Sequence, residues 1–147
     1  MAGATKQVTR IASSTAKKRL AIVWFAGTGV PFAIMLVQSL VGFYGEQAAE
    51  AWSWFLPSVA PTLTLIVGVL VSDALGKSEP RSNVDRFIFR LSLGLSLVYL
   101  VTVSLTILIA PLAAMSPFAL MKLSQLWLVP FQALVSAALG AFFVNRS

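Results

Sequence analysis

The sequence has no histidine and no cysteine, and only 11% of its 147 residues are charged. These absences exclude disulfides, haem ligation by histidine, metal sites built on histidine or cysteine, and catalysis by either side chain. The chain has only 5 acidic residues, and all fall in predicted loops or at the ends of apolar segments, whereas a proton-coupled carrier usually keeps an ionisable group within the membrane. Serine and threonine are plentiful but have no plausible base beside them in the membrane. We therefore predict no enzymatic activity and no catalytic, cofactor-binding or metal-binding residues.

Hydrophobic residues make up 58% of the chain, and its charged fraction is far below that of a soluble domain, which is about 25%. Four uncharged segments each exceed the roughly 20 apolar residues that cross the hydrocarbon core of a bilayer. The sequence therefore predicts an all-α integral membrane protein with four transmembrane helices and short loops. The predicted spans cover about 20–44, 52–72, 86–110 and 124–144, within a transmembrane domain of residues 20–145.

Three segments complete the predicted organisation. Residues 1–19 form a basic cytoplasmic tail, residues 73–85 a cytoplasmic loop, and residues 111–123 an outer loop with a short interfacial helix. The tail is rich in hydroxyl side chains and free of acids, a composition that fits attachment to anionic lipid headgroups and also fits an organellar transit peptide. In the loop, Ser82 and Asp85 resemble a capping box, which predicts that the third helix begins near Asn83.

The basic residues set the expected orientation. If the four spans alternate in direction, all of the 11 Lys and Arg residues except Lys122 fall on the side that holds both termini. This bias predicts that both termini are cytoplasmic, and we expect a bacterial inner (plasma) membrane with Trp24 near its inner interface. The basic residues lie on the side where membrane topology places them. The sequence has no basic segment interleaved with aromatic residues of the kind that binds nucleic acid. We therefore expect membrane lipids, and not nucleic acid, as partners.

A stripe of hydroxyl side chains follows the third predicted helix, in the stretch RLSLGLSLVYLVTVSLT. Its members are Ser92, Ser96, Tyr99, Thr102 and Thr106. At about 100° per residue they share an arc of roughly 120°. Two interpretations fit: the hydroxyls pack without water against another helix and bond to nearby carbonyls, or they line the lumen of a pore. The same alternatives apply to Gln125 and Gln132, which share one face of the fourth predicted helix.

Other candidate residues lie nearer the cytoplasmic side. Arg86 and Arg90 are four residues apart at the start of the third helix. They fit the positive mouth of a pore, and they equally fit lipid-phosphate contacts or ion pairs with Asp73 and Asp85. The first helix carries a predicted kink, which could be a gating hinge or a packing feature. The residues of this hinge are Gly27, Gly29 and Pro31.

Small residues recur every four positions on two helices, which predicts close helix contacts and self-association. They are Thr64, Gly68 and Ser72 on the second helix, and Ala133, Ala137 and Ala141 on the fourth. We expect a small homo-oligomeric membrane protein that forms a channel or pore-like assembly lined by the third and fourth helices. The alternative is a membrane anchor or scaffold subunit that recruits a cytosolic or membrane protein through its basic tail and loop.

Orientation can be tested with single cysteines, because the chain has none of its own. Glu50→Cys should react with a membrane-impermeant reagent added outside intact cells, because position 50 is predicted to face outward. Ser82→Cys should react only after the cells are permeabilised. Labelling of position 82 but not of position 50 from outside would reverse the predicted topology.

Overall fold

Four long helices form most of the protein. The computed structural model describes residues 10–76 and 83–144. The helices are α1 (Ser13–Leu40), α2 (Ala48–Ala74), α3 (Arg86–Ile109) and α4 (Pro117–Val144), with short 3₁₀ turns at Gly45–Gln47 and Ala110–Leu112. Each helix is long and apolar enough to cross a membrane, so the predicted class of four membrane-length helices is confirmed.

The four helices pack as a bundle with α2 and α3 at opposite corners. α3 packs against α1 and α4, and α2 packs against the same two helices. Ser39, near the end of α1, accepts a hydrogen bond from the indole of Trp52, near the start of α2, so these helices run antiparallel. α3 and α4 are also antiparallel, because Ser92 near the start of α3 reaches the carbonyl of Ala138 near the end of α4.

Hydrophobic side chains fill the interior and also cover the outside. Trp24, Phe55 and Phe142 are among the largest buried side chains. On the outer surface, Leu126 is 73% exposed and Leu134 is 61% exposed. An apolar outer surface around a packed core is typical of helices that face lipid, because lipid tails are as apolar as leucine.

A short antiparallel ladder joins the tail to the loop between α2 and α3, a contact that the sequence did not predict. β1 (Arg10–Ala12) pairs with β2 (Asn83–Asp85), with Arg10 opposite Asp85. This pairing holds residues 83–85 extended, so α3 begins at Arg86 and not near Asn83. Its N-cap is Asp85, whose carboxylate accepts a hydrogen bond from the backbone N–H of Phe87 at 2.9 Å. The predicted capping residue Ser82 lies outside the described residues.

Two ends of helices differ from the predicted boundaries. α1 begins at Ser13, so residues 13–19 of the predicted tail are helical and include Lys17, which pairs with Asp73 of α2. α1 ends at Leu40 and not near residue 44, because the chain then turns through Gly42, whose φ of 75° is unfavourable for other residues.

The predicted interfacial helix within residues 111–123 is not a separate element. α4 begins at Pro117 and continues without a break through the predicted start of the fourth span. The hydroxyl of Ser116 accepts a hydrogen bond from the backbone N–H of Ala119 at 3.2 Å, which caps the first turn. Pro117 is the first residue of α4, where a backbone N–H has no partner within the helix, so the N–H that proline lacks is not missed there.

The cap at the start of α3 gives a measurable effect on stability. Asp85→Ala removes the acceptor of the Phe87 N–H and should lower the free energy of unfolding by about 1 kcal/mol. Asp85→Asn keeps an acceptor in the same place and should retain most of that stability. Unfolding in mixed detergent micelles, followed by circular dichroism, measures both variants. Equal losses of stability in the two variants would mean that the negative charge of Asp85, and not its hydrogen bond to the Phe87 N–H, stabilises the helix.

Candidate functional site

The hydroxyl stripe of α3 lies inside the bundle. Ser92, Ser96 and Tyr99 are fully buried, Thr106 is 8% exposed and Thr102 is half-buried. The stripe therefore faces the other helices of the same chain.

Three members of the stripe bond to three different helices. The Ser92 hydroxyl donates to the carbonyl of Ala138 on α4 at 3.1 Å. The Ser96 hydroxyl accepts from the indole N–H of Trp24 on α1 at 3.0 Å. The Tyr99 hydroxyl crosses the bundle and donates to the carbonyl of Ser58 on α2 at 2.8 Å. α3 is thereby hydrogen-bonded to every other helix.

The last two members of the stripe bond within α3 itself. The Thr102 hydroxyl donates to the carbonyl of Val98 at 2.8 Å, and the Thr106 hydroxyl donates to the carbonyl of Thr102 at 2.9 Å. Each bond runs back one helical turn, which is the usual way for threonine to satisfy its hydroxyl in a membrane helix. All five hydroxyls of the stripe therefore have partners within the chain.

Aromatic rings fill the space around Tyr99. Its ring lies 6.1 Å from that of Trp24 and 5.7 Å from that of Phe131, the latter in an edge-to-face arrangement. Such arrangements are favourable because the ring edge and the ring face carry opposite partial charges. The centre of the bundle is consequently closed by large side chains at the level where Tyr99 would have narrowed a pore.

The two candidate glutamines have different environments. The amide of Gln132 donates to the carbonyls of Pro57 at 3.1 Å and of Ser58 at 3.3 Å. Pro61, one turn after Pro57, has no N–H, so the carbonyl of Pro57 lacks its helical donor and Gln132 replaces it from α4. Gln125 instead lies on the exposed surface of α4.

The predicted hinge residues lie within one continuous helix, α1. A Cβ atom on Gly27 would lie 2.6 Å from a terminal methyl of Leu100, so this glycine allows α1 and α3 to approach closely. Gly29 faces open space, and Pro31 is buried on the inner face. Gly27 therefore has a packing role that its two neighbours do not share.

The charged residues gather where α1 and α3 begin. Arg90 is exposed and Arg86 is half-buried. The carboxylate of Asp73 accepts hydrogen bonds from the Lys17 ammonium at 2.9 and 3.1 Å, which ties the start of α1 to the end of α2. Asp85 caps α3, as described above.

Sequence reasoning missed two contributors to this interior. Trp24 was expected at the membrane interface but is fully buried and binds Ser96. Its spacing from Thr28 and Pro31, at intervals of four and three, was the available signal of an inward face. The second contributor, the backbone carbonyl of Ser58, leaves no signature in the sequence.

No protein-family model, curated protein sequence or solved structure matches this chain.

The bond across the bundle can be separated from the bonds within α3. Tyr99→Phe keeps both ring contacts but removes the donor to Ser58. We expect it to lower the free energy of unfolding by about 0.6 kcal/mol, the average for hydrogen bonds between membrane helices, for which the largest values are about 1.7 kcal/mol. Thr102→Val removes a hydroxyl bonded within its own helix and should cost less. Equilibrium unfolding in mixed micelles gives both values. A greater loss for Thr102→Val would contradict this assignment.

Proposed function

We propose that the protein is a membrane anchor or scaffold subunit that recruits a protein partner at one end of its bundle. The observation that carries the proposal is the pairing of β1 with β2. It brings together the tail and the loop, the two segments that the sequence suggests for partner binding. Their described residues 10–12 and 83–85 form one antiparallel ladder at the starts of α1 and α3.

This basic end surface consists of Lys18, Arg19, Arg86 and Arg90. Lys18, Arg19 and Arg90 are exposed, and Arg86 is half-buried. At the same end, the carboxylate of Asp73 pairs with Lys17 and that of Asp85 caps α3, so cations outnumber carboxylates among the described residues there. A positive surface of this kind complements an acidic protein partner and increases its rate of association. Anionic headgroups would hold the same end of the bundle against the bilayer.

We further propose that the four helices span a bacterial inner membrane with both termini in the cytoplasm. The excess of Lys and Arg on one side supports this orientation. The basic end surface would then face the cytoplasm, where a soluble or membrane-bound partner could reach it.

The alternative of a channel receives less support from the geometry. A pore lined by α3 needs water on the hydroxyl stripe, but these hydroxyls are inside the bundle and bonded to their own chain. Water could reach these hydroxyls only if α3 separated from the three helices to which it is hydrogen-bonded. Burial of the stripe thus supports the anchor over the pore.

Self-association is compatible with an anchor, and we propose that it uses the outer surfaces of α2 and α4. Both ladders of small residues are exposed on the single chain. They are Thr64, Gly68 and Ser72 on α2, and Ala133, Ala137 and Ala141 on α4. Small side chains allow close approach of backbones, which is the main source of helix association in lipid.

Photo-crosslinking in the native cells tests the anchor. A photoreactive amino acid at Lys18 or Arg90 should give discrete adducts with a second protein, whereas the same group at Lys122, near the other end of the bundle, should not. With the photoreactive group at position 90, glutamine at Lys18, Arg19 and Arg86 should remove these adducts, while Lys122→Gln should keep them.

The controls for this experiment follow from the topology. The glutamine variant must still show outside labelling at position 50, because removal of positive charge can reverse a membrane protein. Adducts only with lipid or with copies of the chain would contradict the recruitment of a partner. Ion flux into liposomes that contain the purified protein, reduced by Tyr99→Leu, would favour the channel instead.

A further inference from the structure

Two buried hydroxyls in the bundle have no hydrogen-bond partner among the described residues. They are those of Thr28 on α1, which is 6% exposed, and Thr62 on α2, which is 3% exposed. The hydroxyls of the α3 stripe, by contrast, are all bonded. A buried polar group without a partner is costly and rare, and a bound water is a common explanation.

The contacts at the two ends of α1 and α2 place these threonines opposite each other. Thr28 lies 11 residues after Lys17, and Thr62 lies 11 residues before its partner Asp73. Measured from the other end, Thr28 lies 11 residues before Ser39, and Thr62 lies 10 residues after its partner Trp52. Because the helices are antiparallel and rise about 1.5 Å per residue, both threonines lie about 16 Å from either end contact.

Both threonines also point inward at that level, since both are buried. A third buried atom without a partner, Nε1 of Trp54, lies two turns away along α2, at about 12 Å, and is not part of this pair. Thr28 and Thr62 are thus two unpartnered buried hydroxyls at the same level of the α1–α2 pair.

A backbone carbonyl adds a third polar group. Pro31 has no N–H, so the carbonyl of Gly27 lacks the donor that residue 31 would supply in a regular helix. Thr28 and Pro31 are both buried, and the Gly27 carbonyl points along α1 toward Pro31. It belongs to the residue before Thr28 and lies next to the buried Pro31 on α1.

The chemistry of these three groups selects the ligand. All are uncharged, and the acidic residues of the described chain lie near the ends of helices, so a cation would be buried without a counter-charge. A threonine hydroxyl both donates and accepts, and a carbonyl accepts. A water molecule requires two to four polar partners, which these groups provide.

We propose that Thr28 and Thr62 together bind one water molecule, which also donates to the carbonyl of Gly27. This water joins α1 to α2 in the middle of the membrane-length bundle, between the Lys17–Asp73 pair at one end and the Ser39–Trp52 pair at the other. It replaces the hydrogen bond that Pro31 removes. Ordered waters fill this role at helix breaks in membranes.

A double-mutant cycle with valine tests the site in the full-length protein. Thr28→Val and Thr62→Val should each raise the unfolding equilibrium constant about threefold, because each leaves the water and the opposite hydroxyl with fewer partners. The double variant should raise the unfolding equilibrium constant by clearly less than the product of the two single effects, because both hydroxyls that bind the water are removed together. Thr28→Ser keeps the hydroxyl and should behave like the wild type.

Two results would overturn the proposal. If the hydroxyls are unpartnered in the membrane, each valine variant will be more stable than the wild type. The change in the unfolding equilibrium constant of the double variant will then equal the product of the two single changes. If the two hydroxyls bond directly, the cycle will show coupling, but an experimental map of the wild-type protein that resolves ordered water will show their oxygens in contact with no density between them. Density for one water within hydrogen-bond distance of both oxygens is the expected result, and this measurement does not depend on whether any variant folds.

Discussion

A polar group on a membrane-length helix must find its hydrogen-bond partner inside the protein, because the hydrocarbon core offers none. α3 meets this constraint by bonding to each of the other helices in turn. Ser92 reaches α4, Ser96 binds the indole on α1, and Tyr99 crosses to α2. Because α2 and α3 occupy opposite corners, the long tyrosine side chain is the one that makes the diagonal contact. The hydroxyl stripe thus fixes how the four helices are arranged, whereas apolar packing alone would tolerate many arrangements.

The prolines contribute to the same arrangement by releasing acceptors. Each proline inside a helix leaves a carbonyl one turn earlier without its donor. The carbonyl released by Pro61 is bound by Gln132 of the neighbouring helix, so a local defect in α2 becomes a contact with α4. The carbonyl released by Pro31 lies beside Thr28, where the proposed water would serve in the same way. A proline inside a membrane-length helix can therefore create a specific contact with a neighbouring helix, as Pro61 does.

The features that could be predicted from the sequence are those that depend on short stretches of chain. Four apolar segments of membrane length predict four helices, and Ser116 followed by Pro117 predicts the start of α4. The helical wheel identifies one face of α3 but not what that face contacts, so the sequence left both the wet and the dry interpretation of the stripe open. The pairing of β1 with β2 joins residues more than 70 positions apart, and no local pattern reveals it. Trp24 was assigned to the interface because α1 was expected to begin at residue 20. With the helix starting at Ser13, this tryptophan lies 11 residues inside it.

The division between interior and exterior bears on the proposed function. All five hydroxyls of the α3 stripe are used on contacts within one chain. The exterior retains two ladders of small residues and one basic end, which are the surfaces left for other molecules. The β1–β2 ladder ties this basic end to the starts of both α1 and α3. A partner bound there would consequently be held by the two helices that the Trp24–Ser96 bond joins in the core. Such a connection from the basic end to the core fits the proposed anchor, whereas an opening pore would have to break the Trp24–Ser96 bond.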